Sequence, residues 1–414
     1  MPAVSGPGSA GGRRPTQAVI LAGGRGSRLR PLTDTLPKAM VEFHGKPFLE
    51  YLIEMLRDQG FERVLLLLGY LADVIVDHFG DGRRLGIRID YEITPPEYET
   101  SQRVDLARAK IDECFLLMYC DNYWPMRMDD MWAEFVASGA PAQITVYANR
   151  DNYSRSSVRI GPRGMVDVVD RARVTPGLQG VEISYAILTK SAVIDLLPDR
   201  REPFEAAVYP TLATRGQLHA YWTEHRYYSV GGHDRLSMTA EFLARRPAVI
   251  LDRDGVLNIR PRRAEYVRTP EQFTWIDGSL EALRLLHEAG YRVVVVSNQA
   301  GLARGAMNPS DLEAVHARML ADAFAAGGRV DAVYHCPHGW DDGCDCRKPK
   351  PGLLFQAQRD HHLDLTRTWF LGDDERDGQA ARAAGCPFGL VSDERPLFEI
   401  TQRLLQGTLV EARS

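Results

Sequence analysis

Residues Ala248–Leu251 form a short apolar run that closes on Asp252-Arg253-Asp254-Gly255-Val256-Leu257-Asn258. Such a run fits a buried strand. Side chains at i and i+2 of an extended segment point the same way, so Asp252 and Asp254 can converge on one centre. Gly255 then lets the chain turn away. Paired carboxylates at a strand's C-terminal edge suit a hard cation such as Mg²⁺ and leave one oxygen as a nucleophile. For the pair alone, an exposed turn rich in Asp and Gly is the competing reading.

The chain downstream supplies partners. Ser279–Ala289, closed by Gly290, has the spacing of an amphipathic helix. Tyr291–Val296 is a largely β-branched strand that runs into Ser297-Asn298-Gln299-Ala300-Gly301. Ser297 therefore falls at a strand's C-terminal edge, where its hydroxyl and nearby amides can grip a phosphoryl oxygen. Trp369–Leu371 is a further strand, ending in Gly372-Asp373-Asp374, and Arg347-Lys348-Pro349-Lys350-Pro351-Gly352 offers a basic group near the start of a helix. Together, in this order, the motifs resemble those of the haloacid dehalogenase-like phosphatases. That resemblance implies that Asp252 attacks phosphorus, and that Asp254 protonates the leaving alcohol and later activates water. It also implies that Asp252, Asp373 and the carbonyl of Asp254 hold Mg²⁺, with Ser297 and Lys348 offsetting charge on the phosphoryl oxygens.

Three of the six cysteines crowd together with a histidine in Cys336-Pro337-His338-Gly339-Trp340-Asp341-Asp342-Gly343-Cys344-Asp345-Cys346. So few cysteines in so long a chain argue against a disulfide scaffold and for a reducing, cytoplasmic compartment. Cys336, His338, Cys344 and Cys346 can wrap one tetrahedral Zn²⁺ with no position left for water, which makes the zinc structural. A chance cluster, or a redox pair at Cys344 and Cys346, is the alternative. The zinc loop with Cys346-Arg347-Lys348-Pro349 resembles the heptose bisphosphate 7-phosphatases and their relatives, the histidinol-phosphate phosphatases. The resemblance implies that Arg347 recognises substrate, with Asn298 beside it, and that Lys348 stabilises the phosphoryl group. The interval from Asn258 to Ser279 is too short for a large cap domain.

The N-terminal half opens differently. Gln17–Leu21 reads as a buried strand before Ala22-Gly23-Gly24-Arg25-Gly26-Ser27-Arg28-Leu29-Arg30-Pro31-Leu32-Thr33, and Leu36-Pro37-Lys38-Ala39-Met40 follows. Glycines after a strand let backbone N–H groups approach a polyanion. The whole string resembles the signature of sugar-1-phosphate nucleotidyltransferases, which assigns Gly23, Gly24, Gly26, Arg28 and Lys38 to a nucleoside triphosphate. Helices over Phe48–Gln59 and Leu71–Phe79 alternate with strands over Arg63–Leu68, Ile87–Ile93 and Phe115–Tyr119. The last strand leads to Cys120-Asp121-Asn122, where Asp121 matches the family's Mg²⁺ ligand; an Asp capping the next helix is the alternative. Three departures stand out: Glu99-Thr100-Ser101-Gln102-Arg103 where the family contacts the base, Asp170-Arg171-Ala172 for its Glu-Lys-Pro, and Ser229 in place of its second acidic metal ligand.

At 414 residues, 44% apolar and 25% charged, the chain is expected to hold more than one soluble domain, and no apolar run reaches the ~20 residues of a membrane span. A net charge of −5 gives no support for nucleic-acid binding. The expected organisation is a disordered tail over 1–16 and two α/β, Rossmann-like doubly wound domains. A nucleotidyltransferase fold spans 17–246, with a terminal helix at Leu236–Arg246 stopped by Pro247; a haloacid dehalogenase-like fold with a zinc loop spans 247–414. The join carries no flexible spacer. A heptose 1,7-bisphosphate serves both halves, because hydrolysis at C7 leaves the 1-phosphate for nucleotidyl transfer, whereas histidinol phosphate leaves the first half idle. Resemblance to the heptose-1-phosphate guanylyltransferases implies GTP and the α anomer. The rival readings are a phosphatase whose N-terminal half only binds nucleotide, and the same two activities on another sugar.

Overall fold

The computed structural model describes residues 13–198, 201–262 and 264–412; the larger part of the expected tail, 1–12, lies outside the described residues. Of the remainder, Pro15 is buried and Thr16 accepts hydrogen bonds from the amides of Glu62 and Arg63. The chain divides into two compact units between Leu243 and Ala244.

In the first unit, β1 (Gln17–Ala22), β2 (Arg63–Leu68), β3 (Arg88–Ile93), β4 (Cys114–Tyr119), β5 (Ala142–Tyr147), β6 (Val181–Thr189) and β7 (Leu218–Thr223) form one sheet, ordered β7-β5-β6-β4-β1-β2-β3. β1 runs parallel to β2 and β4, while β6 is antiparallel to both of its neighbours, β4 and β5. The apolar run of β1 follows from its position. Ala18 and Ile20 enter one core, Val19 and Leu21 the other, so the strand is covered on both faces. Each such Leu or Ile contributes roughly 1.5–3 kcal/mol by burial. Gln17, at 1% exposure, is tolerated because it donates to the Lys110 carbonyl and accepts from the Asp112 amide.

The second unit is a five-stranded, all-parallel sheet of β8 (Ala248–Leu251), β9 (Arg292–Asn298), β10 (Ala332–Cys336), β11 (Trp369–Gly372) and β12 (Phe388–Leu390), ordered β10-β9-β8-β11-β12. Alternation again splits the strands between two cores, with Val249, Leu251, Val293 and Val295 on one side and Ile250, Val294 and Val296 on the other. β8 lies between β9 and β11. The chain leaves β8 toward one side of the sheet and returns to the other, and the crevice at such a switch point is where open α/β sheets bind ligands.

Two elements differ from the sequence reading by more than one residue at an end. The helix expected at Leu236–Arg246 occupies His233–Leu243, and Arg245, at φ 49°, turns the chain before Pro247. A residue preceding proline is held out of the helical region, which favours the earlier stop. β9 runs on through Ser297 to Asn298, which pair with His335 and Cys336 of β10. Among the described residues, no helix is long and apolar enough to cross a membrane.

Candidate active sites and metal centres

Asp252, Ser297 and Asp373 come from or just beyond the C-terminal ends of β8, β9 and β11, so the parallel sheet itself gathers them. The Asp252 amide donates to the Leu371 carbonyl at 3.0 Å, which fixes the first residue beyond β8 against β11. Lys348, 3% exposed, places its ammonium 2.8 Å from Asp252 Oδ1, 2.8 Å from Asp377 Oδ1 and 3.0 Å from the Val296 carbonyl. Carboxylate oxygens of Asp252, Asp373 and Asp377 lie within 4.8 Å of one another. Burial pushes the Asp252 carboxyl up to about 7 against the pull of Lys348, and burial pushes Asp373 up to about 6 although Arg260 stands 2.6 Å away. Buried carboxyls that resist ionisation this way are what a divalent cation relieves, so the donor set fits Mg²⁺.

Gly255 makes the cluster possible. It sits at φ 97°, in the region that favours glycine, and a Cβ there would lie 1.7 Å from Asp373 Oδ2. Asp254 has a different environment. Its carboxylate accepts from Arg253 Nη2 at 2.9 and 3.0 Å and Nε at 3.2 Å, from Asn258 Nδ2 at 2.9 Å and from Gln299 Nε2 at 2.9 Å. Burial alone would raise this carboxyl, yet Arg253, Asn258 and Gln299 hold it below the ordinary value. Arg253 is fully buried and also faces His316 Nε2 at 3.2 Å. Burial and the Arg253 charge drive His316 down to about 3, so the ring is neutral and can accept.

Ser297 Oγ accepts from Gln299 Nε2 at 2.8 Å. Asn298 exchanges two 3.0 Å hydrogen bonds with the backbone of Lys348. Its side chain thus holds Lys348 in place while lining the same cavity, of about 850 Å³, as Asp252, Asp254, Ser297, Arg347 and Lys348. Asp377, Arg253 and Gln299 join the site beyond the residues expected from the sequence. For Asp377 there was a signal: it lies four residues after Asp373, at the N3 position of the capping box that starts the helix Glu375–Ala384.

Cys336, His338, Cys344 and Cys346 converge, with their ligand atoms within 4.8 Å of one another. Tetrahedral zinc, with Zn–S of ~2.3 Å and Zn–N of ~2.0–2.1 Å, spaces its ligand atoms by roughly 3.5–3.8 Å. The Cys336 sulfur is 3.6 Å from His338 Nδ1 and 3.7 Å from the Cys344 sulfur; the Cys346 sulfur is 3.1 Å from His338 Nδ1 and 3.3 Å from that of Cys336. All three cysteines are free, and the set fits zinc. Arg347, next in the chain, donates to the His338 carbonyl at 3.4 Å.

In the first unit, Gly23, Gly24, Gly26, Arg28, Lys38 and Asp121 line one cavity of about 450 Å³ beyond β1 and β4. Gly26 turns at φ 62°, and a Cβ there would meet Lys38 Cβ at 2.9 Å. Lys38 Nζ pairs with Asp121 Oδ2 at 2.7 Å. Ser229 pairs with Asn122 across a two-residue ribbon, beside Asp121, and its hydroxyl accepts from the Gly231 amide. Asp234, five residues on, is largely exposed and faces Arg235 at 3.2 Å. Among the described residues, Asp121 belongs to no cluster of three or more ligating side chains. A second cavity, of about 730 Å³, shares Arg28, Tyr119 and Asp121 and adds Arg171, Glu182 and Glu205. Arg171 pairs with Glu205 at 2.8 Å, whereas the Asp170 carboxylate is spent on the amides of Arg173, Val174 and Thr175.

Residues 17–158 match the family model of nucleotidyl transferases, and residues 345–395 match one described as HAD-hydrolase-like. The D-glycero-beta-D-manno-heptose-1,7-bisphosphate 7-phosphatase of Pseudomonas aeruginosa is 43% identical over 165 residues, 40% of this chain and 92% of that protein. The protein of the same name from Bordetella bronchiseptica is 44% identical over 143 residues, covering 34% and 79%. Among solved structures, HddC from Yersinia pseudotuberculosis is similar at 26% identity over 55% of this chain and 99% of its own, with a TM-score of 0.47. With a relative at 43% identity covered almost from end to end, the chain belongs to the D-glycero-beta-D-manno-heptose-1,7-bisphosphate 7-phosphatase family.

Proposed function

We propose that the chain is a bifunctional enzyme of nucleotide-heptose synthesis. Its second unit removes the 7-phosphate of D-glycero-D-manno-heptose 1,7-bisphosphate, and its first transfers a nucleotidyl group, GMP from GTP, to the heptose 1-phosphate that results. The observation that carries the phosphatase is the convergence of Asp252, Asp373 and Asp377 around buried Lys348 at the sheet's switch point.

In this reading, Asp252 Oδ attacks phosphorus as the bond from phosphorus to the C7 oxygen breaks, and Asp254 delivers the proton to that oxygen. Asp254 is ionised in the free site, so it takes up that proton as the phosphate dianion arrives and raises its affinity. In the second half, Asp254 withdraws a proton from the water that attacks phosphorus, releasing inorganic phosphate and freeing Asp252. Lys348 balances the carboxylate and phosphoryl charges, and Ser297 donates to a phosphoryl oxygen. Asp252, Asp373 and the Asp254 carbonyl would hold Mg²⁺, with Asp377 beside them; when bound, the ion neutralises phosphoryl charge. Cys336, His338, Cys344 and Cys346 would hold a structural zinc that shapes the loop carrying Arg347 and Lys348.

In the first unit, an oxygen of the sugar 1-phosphate attacks the α-phosphorus and pyrophosphate leaves. The glycine loop, Arg28 and Lys38 steady the triphosphate, Asp121 would hold Mg²⁺, and the cavity with Arg171, Glu182 and Glu205 receives the sugar. A second reading, a phosphatase with a nucleotide-binding but inactive first unit, draws support from Ser229, a hydroxyl where the second carboxylate is expected.

Heptose 1,7-bisphosphate, in either anomer, with Mg²⁺ and each NTP separates the readings when phosphate and pyrophosphate are monitored independently. The expected result is phosphate followed by pyrophosphate, fastest with GTP, and phosphate release at least about 10³-fold slower in Asp252→Asn. Phosphate without pyrophosphate for every NTP, also when either heptose 1-phosphate is supplied directly, selects the second reading.

A further inference from the structure

Arg103 is 2% exposed, an unusual state for a guanidinium. It lies on the short helix Thr100–Leu106, whose start is fixed by a capping box of Glu99 and Gln102. Its donors reach the Leu68 carbonyl at 2.6 Å, Thr94 Oγ1, and the carbonyls of Pro95, Pro96 and Gly23 at 3.1, 3.3 and 3.4 Å. None of these acceptors is a carboxylate. Glu97 and Glu99 act on it only through space, and the Glu99 side chain is occupied in capping its own helix.

Two glycines make room for this group. A Cβ on Gly23 would lie 2.4 Å from the guanidinium carbon, and one on Gly69 would lie 2.6 Å from both terminal nitrogens. The end of β2, the glycine-rich loop and the segment after β3 therefore meet on one planar fork. Gly23, Pro96 and Arg103 all line the same cavity. A buried cation bonded only to neutral acceptors is costly to maintain, and an anion arriving beside it offsets that cost.

We propose that Arg103 is a positioning residue for nucleoside triphosphate: it locks the Gly23-Gly24 loop to the Pro95–Pro96 segment and sets a positive charge, hydrogen-bonded to no carboxylate, behind the loop that faces the polyphosphate. The inference rests on the first unit being a nucleotidyltransferase. A lysine at this position keeps the charge but loses the fork; a glutamine keeps some donors but loses the charge.

The test measures binding of GTP, ATP, CTP, UTP and dTTP, each with Mg²⁺, to the full chain by calorimetry, in wild type, Arg103→Gln and Arg103→Lys. For the best-bound nucleotide, the expected Kd rises at least tenfold in Arg103→Gln and by a smaller factor, above twofold, in Arg103→Lys. KM for that nucleotide moves in parallel while kcat stays within about threefold, and phosphate release is unchanged. Circular dichroism reports whether each variant is folded; should Arg103→Gln unfold, Arg103→Lys carries the comparison. A folded variant that binds nucleotide within twofold of wild type overturns the role of Arg103 alone. Wild type that binds none of the five overturns the nucleotidyltransferase reading and this one with it.

Discussion

Glu182 is the acid most at odds with its surroundings in the first unit. Burial pushes its carboxyl up to about 8, the charges of Glu205 and Asp121 add to the rise, and the Ser184 amide donating at 2.6 Å opposes it. Between the ordinary 4.5 and about 8, the folded chain keeps a proton that the unfolded chain has released, so stability falls as pH rises through that window. Glu182→Gln lacks this slope. Its Tm relative to wild type is expected to climb between pH 5 and pH 8.5, and an offset that stays constant across that range refutes the assignment. Single residues were unequally legible in the sequence. Asp252, Asp254, Ser297 and Asp373 announce themselves because each follows or ends a short apolar strand. Arg253 does not, since nothing in a linear string tells that an arginine between two aspartates will be buried against His316 and turned back on one of them. Asp377 carries only its spacing from Asp373 as a signal, and an acid at that helix position reads equally as a cap.

Among elements, the segment from Cys336 to Arg347 carries chemistry without belonging to a strand for most of its length. It leaves β10 at Cys336 and, without regular secondary structure, returns as the support for Arg347 and Lys348. Four ligands closing on one ion would define its path. Cys344→Ser is expected to lower zinc from about one per chain, to slow phosphate release at least about tenfold, and to reduce the Tm of the second unit by roughly 5 °C or more. Elemental analysis, a phosphate assay and calorimetry check the three together; a variant as active and as stable as wild type removes the structural role. The ligand spacing was readable in sequence because Cys-x-His and Cys-x-Cys are local. The length of β9 was not: Ser297 and Asn298 stay in the ladder because His335 and Cys336 of β10 pair with them, and that partnership is decided by the sheet.

At the level of the whole molecule, each unit has its own sheet, its own pair of cores and its own cavities. Damage to one centre should therefore spare the other. Lys38→Ala is expected to cut pyrophosphate release at least about 10²-fold with phosphate release within twofold of wild type. In Asp252→Asn, given heptose 1-phosphate directly, pyrophosphate release should persist; parallel loss of both products in either variant argues against independent centres. The two-unit plan was legible from the order of strands and motifs, whereas the reversed strand β6 was not, because an apolar strand reads the same in either direction. Strand β8, which leads into Asp252, is central in its sheet, yet Asp373, which fits the hydrogen-sized space left at Gly255, follows it by more than a hundred positions of chain. A growing polypeptide therefore exposes Asp252 and Asp254 long before it can close a cage around a cation. For the proposed magnesium site, competence would be a late event in biosynthesis, arriving only when β11 docks beside β8.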